Sequence, residues 1–151
     1  MTRFARLFAD VRGSSIIEMG LVAPFLCAML VGMVDLSRAY STKLQVEQAA
    51  QRTIEKIQVT SYQSSQDDAI KAEAAAAAGV AAENVVITSW LQCNNTSTKL
   101  AYTASCSGTD PYARYVQIQI TKSYTPFFRM KWNRTTSGIW TVRGTAGIRT
   151  Q

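Results

Sequence analysis

The chain contains no histidine and only ten acidic residues among its 151. It therefore lacks the side chain that most often serves as a general acid–base group and as a metal ligand. Catalysis would have to use paired carboxylates or a Ser/Lys dyad. No catalytic motif surrounds the acids of the central region, which are Asp67, Asp68, Glu73, Glu83 and Asp110. The composition predicts a protein that is not an enzyme, with no metal and no cofactor.

Acidic residues are also absent from the last part of the chain. All of them lie at or before Asp110, whereas the following residues carry bases interleaved with aromatic side chains. Such a segment favours anionic partners such as lipid headgroups, surface polysaccharide, DNA or an acidic subunit, and of these nucleic acid is not expected as a partner of this chain. The candidate surface contact is the loop at residues 125–133 with its neighbour, namely Phe127, Phe128, Arg129, Lys131, Trp132 and Arg134. A solvated sheet face with its aromatic side chains in the core remains the alternative.

One long apolar run stands out near the start of the chain. Residues 14–34 contain a single charged residue, Glu18, and as a helix they would span roughly 31 Å, enough for the core of a bilayer. Arg3, Arg6 and Arg12 precede the run. Basic residues on this side keep the N-terminus in the cytoplasm, so the C-terminal part is expected outside, in the periplasm of a bacterium.

Two simpler explanations of this run are a cleaved secretory signal and a plain uncleaved anchor. A cleaved secretory signal has an apolar core of about 7–15 residues and a small-residue cleavage site. The present run is longer, contains Glu18, and shows no A-x-A site before Asp35. A plain uncleaved anchor remains open.

The residues at the start of the run, from Gly13 to Glu18, resemble the processing site of type IV prepilins. In such proteins a membrane-embedded aspartic peptidase cuts after the glycine, which here would make Ser14 the new N-terminus. Glu18 of one subunit could then neutralise the Ser14 ammonium of another and so set the register of packed helices. The alternative is a carboxylate that reaches the headgroup level from near the end of the span.

Small residues recur at every fourth position inside the run, at Gly20, Pro24, Ala28 and Gly32. Small side chains at this spacing allow two membrane helices to approach closely. Because glycine and alanine are common in such spans, a chance recurrence remains open.

Periodicity predicts the remaining fold. Apolar residues at helical spacing predict one helix from about Ser14 to about Val59, with Leu36, Tyr40 and Leu44 at the start of the stripe that continues through Ala50, Ile54 and Ile57. A second, alanine-rich helix is expected over residues 66–78, with Gly79 as its stop. Strands are expected at residues 85–93, 115–122 and 139–149, with a weaker one at residues 99–103. The last strand would place Trp140 together with Val142, Ala146 and Ile148.

Cys93 and Cys106 lie in the part predicted to be exported, and they bracket a polar turn. A bridge between them would add roughly 3 kcal/mol to stability in the chain-entropy model and would persist in the periplasm. Two free thiols in separate strands are the alternative.

The pattern RGSSIIEMGLVAPFLCAMLVGMVDLSRAY at residues 12–40 resembles the TadE-like minor pilins, or pseudopilins, of the tight-adherence (Flp-type, type IV-like) pilus. The family's Gly, Glu and downstream Pro are matched by Gly13, Glu18 and Pro24, although Met19 stands where an aromatic residue often follows the glutamate. The resemblance implies an α+β pilin-like fold with a long transmembrane spine helix, a short second helix and a three- to four-stranded antiparallel sheet. It also implies partners, namely other pilin and pseudopilin subunits, a prepilin peptidase and an inner-membrane assembly platform.

The expected organisation is a basic leader at residues 1–13, a membrane span at 14–34, a continuation of the helix at 35–60 and a small exported domain at 61–151. The function predicted from the resemblance is a minor subunit at the start or tip of an adhesive pilus. The subunit would reside in the inner membrane and later in the extracellular pilus. An uncleaved single-pass protein whose basic sheet binds an anionic ligand is the alternative.

Overall fold

The structure is a computed structural model that describes residues 14–94, 96–127 and 139–150. Within these residues the chain forms, in order, α1 (Ser14–Thr60), a 3-10 turn (Ser64–Gln66), α2 (Asp67–Ala78), a second 3-10 turn (Ala82–Asn84), β1 (Val85–Cys93), β2 (Leu100–Ala101), β3 (Tyr112–Tyr124) and β4 (Trp140–Arg149). The predicted α+β class is confirmed. The chain divides into two units, Met1–Arg38 and Ala39–Gln151.

The described part of the first unit is the N-terminal portion of α1. Pro24 lies inside this helix. The large apolar side chains on this portion are exposed, including Ile16 at 76% and Leu21 at 75%. Leu36, the first residue of the predicted apolar stripe, is also exposed, at 72%.

The second unit begins with the remainder of α1. Here the apolar side chains are buried, with Val46 and Ala50 fully inaccessible and Ile57 only 2% exposed. The predicted stripe starts later than expected, because Tyr40 is 65% exposed and Leu44 is 37% exposed. Helical periodicity alone does not show how much of a long helix the rest of the chain covers.

Helix α2 is built from alanine, the residue with the highest helix propensity. It begins at Asp67 and ends at Ala78, one residue from the predicted start and at the predicted end. Gly79 has φ 64° and donates its N–H to the carbonyls of Ala75 and Ala76, which is the left-handed stop expected of glycine. Ala74, Ala75 and Ala78 are buried in the core.

The four strands form one antiparallel sheet in the order β2-β1-β3-β4. Strand β3 is central and pairs Ile118 with Ile87 of β1 and with Ala146 of β4. Val116, Ile118 and Ile120 have no exposed surface. Strand β3 is longer than predicted, whereas β2 is limited to Leu100–Ala101.

Gly144 of β4 lies directly under α1. A Cβ atom at this position would be 2.5 Å from the Val46 carbonyl carbon and oxygen, so only glycine fits without a shift of backbone. Lys43 of α1 donates a hydrogen bond to the carbonyl of Arg143, the neighbouring residue. Trp140, predicted to lie on the same face of β4 as Val142, Ala146 and Ile148, is 57% exposed, whereas the other three pack against the core.

Candidate membrane anchor and surface sites

The N-terminal portion of α1 has the properties of a membrane anchor. The helix is long and apolar enough to cross a bilayer, and its most apolar stretch is 0% buried within the protein. A helix that is apolar on all sides requires an apolar environment, either a protein core or a membrane. The exposed apolar side chains are Ile16, Ile17, Met19, Leu21, Val22, Phe25, Leu26, Met29, Leu30, Val31, Met33 and Val34.

The residues of the predicted processing motif lie at the start of this helix. Ser14 is the first residue of α1, and Glu18 follows about one turn later with its side chain exposed. Gly13 lies outside the described residues. A carboxylate placed this close to an apolar stretch is costly in lipid, which makes Glu18 a candidate functional residue.

The small residues of α1 have open space beside them. Gly20, Pro24, Ala28 and Gly32 are all exposed. A Cβ atom added at Gly20 or Gly32 would meet nothing within 4 Å. No contact within the described chain therefore requires a small side chain at either glycine, which is compatible with a role in contacts between molecules.

Cys93 and Cys106 form the predicted disulfide, with a Cα–Cα distance of 5.7 Å. The bond joins the end of β1 to the connection that leads into β3. Arg114 holds the same connection from the sheet, because its Nε donates to the carbonyl of Tyr102 at 3.1 Å and its Nη2 to that of Ala104 at 3.4 Å. The loop between β1 and β3 is thus fixed by one covalent bond and by charged hydrogen bonds.

Tyr62 links the end of α1 to this loop. Its hydroxyl donates to Asp67 Oδ1 at 2.7 Å and lies 3.3 Å from Ser89 Oγ, and its ring meets the Tyr102 ring edge to face at 4.9 Å. Burial, reinforced by the hydrogen bond to Asp67, raises the pKa of Tyr62 to about 12.

A further set of side chains lies on the sheet face opposite the core. The rings of Trp90 and Tyr115 are stacked at 5.5 Å with an angle of 18°, and Lys99 Nζ lies 4.0 Å from the centre of the Trp90 ring. Arg149 is the β4 partner of Tyr115 in the register of the sheet. Sequence reasoning missed this group, because its residues come from three strands and a loop and meet only through strand pairing. The sequence feature that could have indicated this group is Tyr115, an aromatic residue at an outward position of the alternating segment at residues 115–122.

Phe127 belongs to the predicted aromatic–basic contact loop. Phe127 is 63% exposed. Phe128, Arg129, Lys131, Trp132 and Arg134 lie outside the described residues.

Comparison with known families bears on the N-terminal helix. Residues 13–54 match the model of the TadE-like protein family. The chain carries a TadE-like segment. The resemblance predicted from Gly13, Glu18 and Pro24 is thereby confirmed. Searches of curated proteins and of solved structures each gave no match.

The TadE-like match ends inside α1, so α2 and the sheet lie beyond it. A TadE-like segment that includes an exposed apolar helix fits a pilin-like component of a tight-adherence pilus. It also indicates membrane anchoring and association with other pilus subunits.

Proposed function

We propose that this chain is a minor pilin or pseudopilin, anchored in the bacterial inner membrane by α1 and incorporated into a tight-adherence pilus. The observation that carries the proposal is the TadE-like match over residues 13–54, which coincides with an apolar helix that is 0% buried in its most apolar stretch. Lateral packing of such helices removes their apolar surface from water, both in lipid and in a filament.

Processing after Gly13 is the first part of the proposal. The native protein, extracted from membranes of cells that carry the pilus genes, is expected to begin at Ser14 when measured by mass spectrometry. Gly13→Leu should abolish cutting, because a bulky side chain replaces a residue without one, and should leave a larger membrane-bound species. A native protein that retains its leader would overturn the prepilin assignment and favour the plain anchor.

Glu18 has the second role in the proposal. Its carboxylate would neutralise the Ser14 ammonium of a neighbouring subunit and so fix the stagger between helices. Such a pair specifies register more than it adds stability, because both charges lose solvent. Glu18→Ala should leave membrane insertion intact and reduce the yield of pili in a shearing assay.

Glu55 provides a matched control for Glu18. It is an exposed carboxylate on the same helix, in the second unit. Glu55→Ala should assemble as the parent does. Normal piliation with Glu18→Ala, or equal loss with both variants, would contradict the register role.

The position proposed for the subunit is the start or the tip of the pilus, reached after an assembly platform extracts it from the membrane. The support is family-level analogy together with the size of the second unit, Ala39–Gln151, which is bulky for a repeated shaft subunit. Immunogold labelling should find this chain at one pilus end. Labelling along the whole shaft would contradict a minor role.

Export of the second unit to the periplasm can be tested through the disulfide. Cys93→Ser should lower the yield of the exported protein, because the loop constraint is worth about 3 kcal/mol. The same variant should accumulate like the parent when the second unit is expressed in a reducing cytosol, where the bond does not form. If Cys93→Ser and the parent gave equal yields as exported proteins, that result would argue against export.

A second candidate function is an uncleaved anchored protein that binds an anionic ligand through its sheet. Strands β1, β3 and β4 contain no Asp or Glu, whereas β3 and β4 carry Arg114, Lys122, Arg143 and Arg149. Mass spectrometry of the native protein separates the two candidate functions, since only the uncleaved anchored protein keeps the basic leader.

A further inference from the structure

Helix α1 and strand β4 run in the same direction within the second unit. Near the start of β4, Lys43 of α1 donates a hydrogen bond to the carbonyl of Arg143. Near the ends of both elements, Ile57 of α1 and Ile148 of β4 line the same depression. The start of β4 therefore lies at the end of the unit where α1 enters it, which we call the entry end.

The packing of β4 on α1 sets the level of the first residues of β4. Gly144 lies against Val46, because a Cβ atom at Gly144 would be 2.5 Å from the Val46 carbonyl. From Gly144 back to Trp140 the strand extends about 13 Å. From Val46 back to Ala39, the first residue of the unit, the helix rises about 10 Å. Trp140 therefore lies near the level at which α1 enters the unit.

The entry end carries exposed apolar and aromatic side chains. Tyr40 is 65% exposed, Trp140 is 57% exposed, and Ile139 beside it is 40% exposed. Neither ring makes a hydrogen bond or a ring contact within the part of the chain that the structure describes. At the opposite end of β3, by contrast, the ring of Tyr112 lies 5.4 Å from the guanidinium carbon of Arg114. The polar tips of the Tyr40 and Trp140 rings are thus available to an outside partner.

The charged groups that α1 and β4 bring to this end favour an anionic surface. Arg143 is exposed on β4, and strands β3 and β4, which both reach the entry end, contain no acid. Glu47 of α1 forms an ion pair with Lys43 at 2.8 Å. An anionic surface that approached β4 here would therefore meet a cation and little repulsion.

Chain connectivity brings the entry end close to lipid, a step that rests on the proposed membrane anchor. Ala39 follows Val34, the last residue of the expected span, by five residues, and α1 is helical throughout. Five helical residues rise about 8 Å, and the headgroup layer on each side of the bilayer core is about 5–8 Å thick. The entry end therefore begins at the outer boundary of the headgroup layer.

We infer that the entry end docks into the headgroup layer of the membrane, with Trp140 and Tyr40 as its anchors. Tryptophan and tyrosine prefer this layer, because the ring contacts acyl chains while the N–H or hydroxyl bonds to headgroups and water. A second copy of the chain fits less well, since a symmetric contact through β4 would bring two Arg143 side chains together. The lipid contact opposes extraction of the subunit from the membrane.

The test measures tryptophan fluorescence of the full-length protein in vesicles of phosphatidylglycerol, with and without bromine atoms on the upper acyl chains as quenchers. Trp90→Phe with Trp132→Phe leaves Trp140 as the single tryptophan. Its emission should fall at least about twofold in the brominated lipid, because a ring in the interface touches the upper acyl chains.

The matched control is Trp132→Phe with Trp140→Phe, which leaves only Trp90. This residue pairs with Tyr115, nine residues of β3 or about 30 Å from Tyr124, the partner of Trp140. Its emission should be the same in both lipids.

Quenching of Trp140 without quenching of Trp90 would establish the contact. Equal emission of Trp140 in both lipids, from protein that stays in the vesicles after a carbonate wash, would overturn the contact and leave the anchor intact. If Trp140 were then shielded from acrylamide only at high protein density, a second copy would be the occupant. Release of the protein by carbonate would overturn the anchor and the contact together.

A single substitution decides the matter should the double variants fail to fold. Trp140→Phe changes one exposed residue of the parent chain. It should reduce the quenching that brominated lipid causes in the parent, and unchanged quenching would overturn the contact.

Discussion

The two parts of helix α1 have the same backbone conformation and opposite surroundings. In the first unit, large side chains such as Leu26 and Leu30 are 51% and 63% exposed. In the second unit, Val46 and Ala50 are fully buried by the rest of the chain. The second part of the helix finds an apolar environment within the protein, whereas the exposed apolar surface of the first part fits lipid or other helices.

The glycines of the two units make the same distinction. Gly144 has no space for a Cβ atom because α1 lies against it, whereas Gly32 has nothing within 4 Å. One glycine is required by the fold of the single chain. No contact within the described chain requires the other to be small, which is compatible with a contact between molecules.

The largest expected effect comes from placing charge in the first part of α1. Leu26→Arg with Leu30→Arg should remove the protein from the membrane fraction, because each arginine at the centre of a membrane helix costs about 3 kcal/mol. Val59→Arg, on the same helix and 86% exposed, should remain membrane-bound. Retention of the double variant after carbonate extraction would show that this part of α1 is not in lipid.

A smaller effect is expected when the two glycines are exchanged for alanine. Gly144→Ala should lower the free energy of unfolding by about 3 kcal/mol, since the new Cβ would overlap the backbone of α1. Gly32→Ala should not lower this free energy, because nothing lies within 4 Å of the new Cβ atom and alanine is the better helix former. Denaturation of the full chain in detergent, followed by tryptophan fluorescence, measures both. A stable Gly144→Ala protein would contradict the close contact between α1 and β4.

The smallest effect concerns pH and the contact between Tyr62 and Asp67. The pKa of Tyr62 is about 12 in the folded protein, against 10.0 for the exposed group. Below pH 10 the phenol is neutral in both the folded and the unfolded state, so its full contribution to the free energy of unfolding is present. Between pH 10 and 12 only the unfolded state ionises, so stability falls by about 1–2 kcal/mol over this interval.

Tyr62→Phe should show a shallower fall in stability over the same interval, because its ring cannot ionise. Tyr40→Phe, at an exposed position on α1, is the matched control and should retain the slope of the parent. Identical slopes for all three proteins would exclude Tyr62 as the source of the pH dependence.

Local chemistry was enough to predict most of the secondary structure. Helix α1 ends one residue beyond the predicted Val59, Gly79 stops α2, and β1 has the predicted bounds. The disulfide between Cys93 and Cys106 was also predicted. These features depend on residues close together in the sequence, where propensity, periodicity and capping act directly.

Burial depends on contacts between distant residues, and periodicity does not predict it. Leu36 and Tyr40 continue the helical period but are exposed, because the buried part of α1 starts further along the chain. Trp140 follows the alternation of β4 but is exposed at the start of the strand. A periodic pattern identifies a face of an element and not the length over which another element covers it.

The sequence by itself determined the long apolar helix with Glu18 near its start, the alanine-rich helix and the alternating strands. It also determined the TadE-like pattern, because each of these properties belongs to a short continuous segment. Only the tertiary structure decided that Gly144 must be glycine, that Tyr62 retains its proton up to high pH, and that Trp90, Tyr115 and Arg149 lie side by side. Strand register and helix packing create these environments by bringing together groups that lie up to about a hundred residues apart, as in the contact between Lys43 and Arg143.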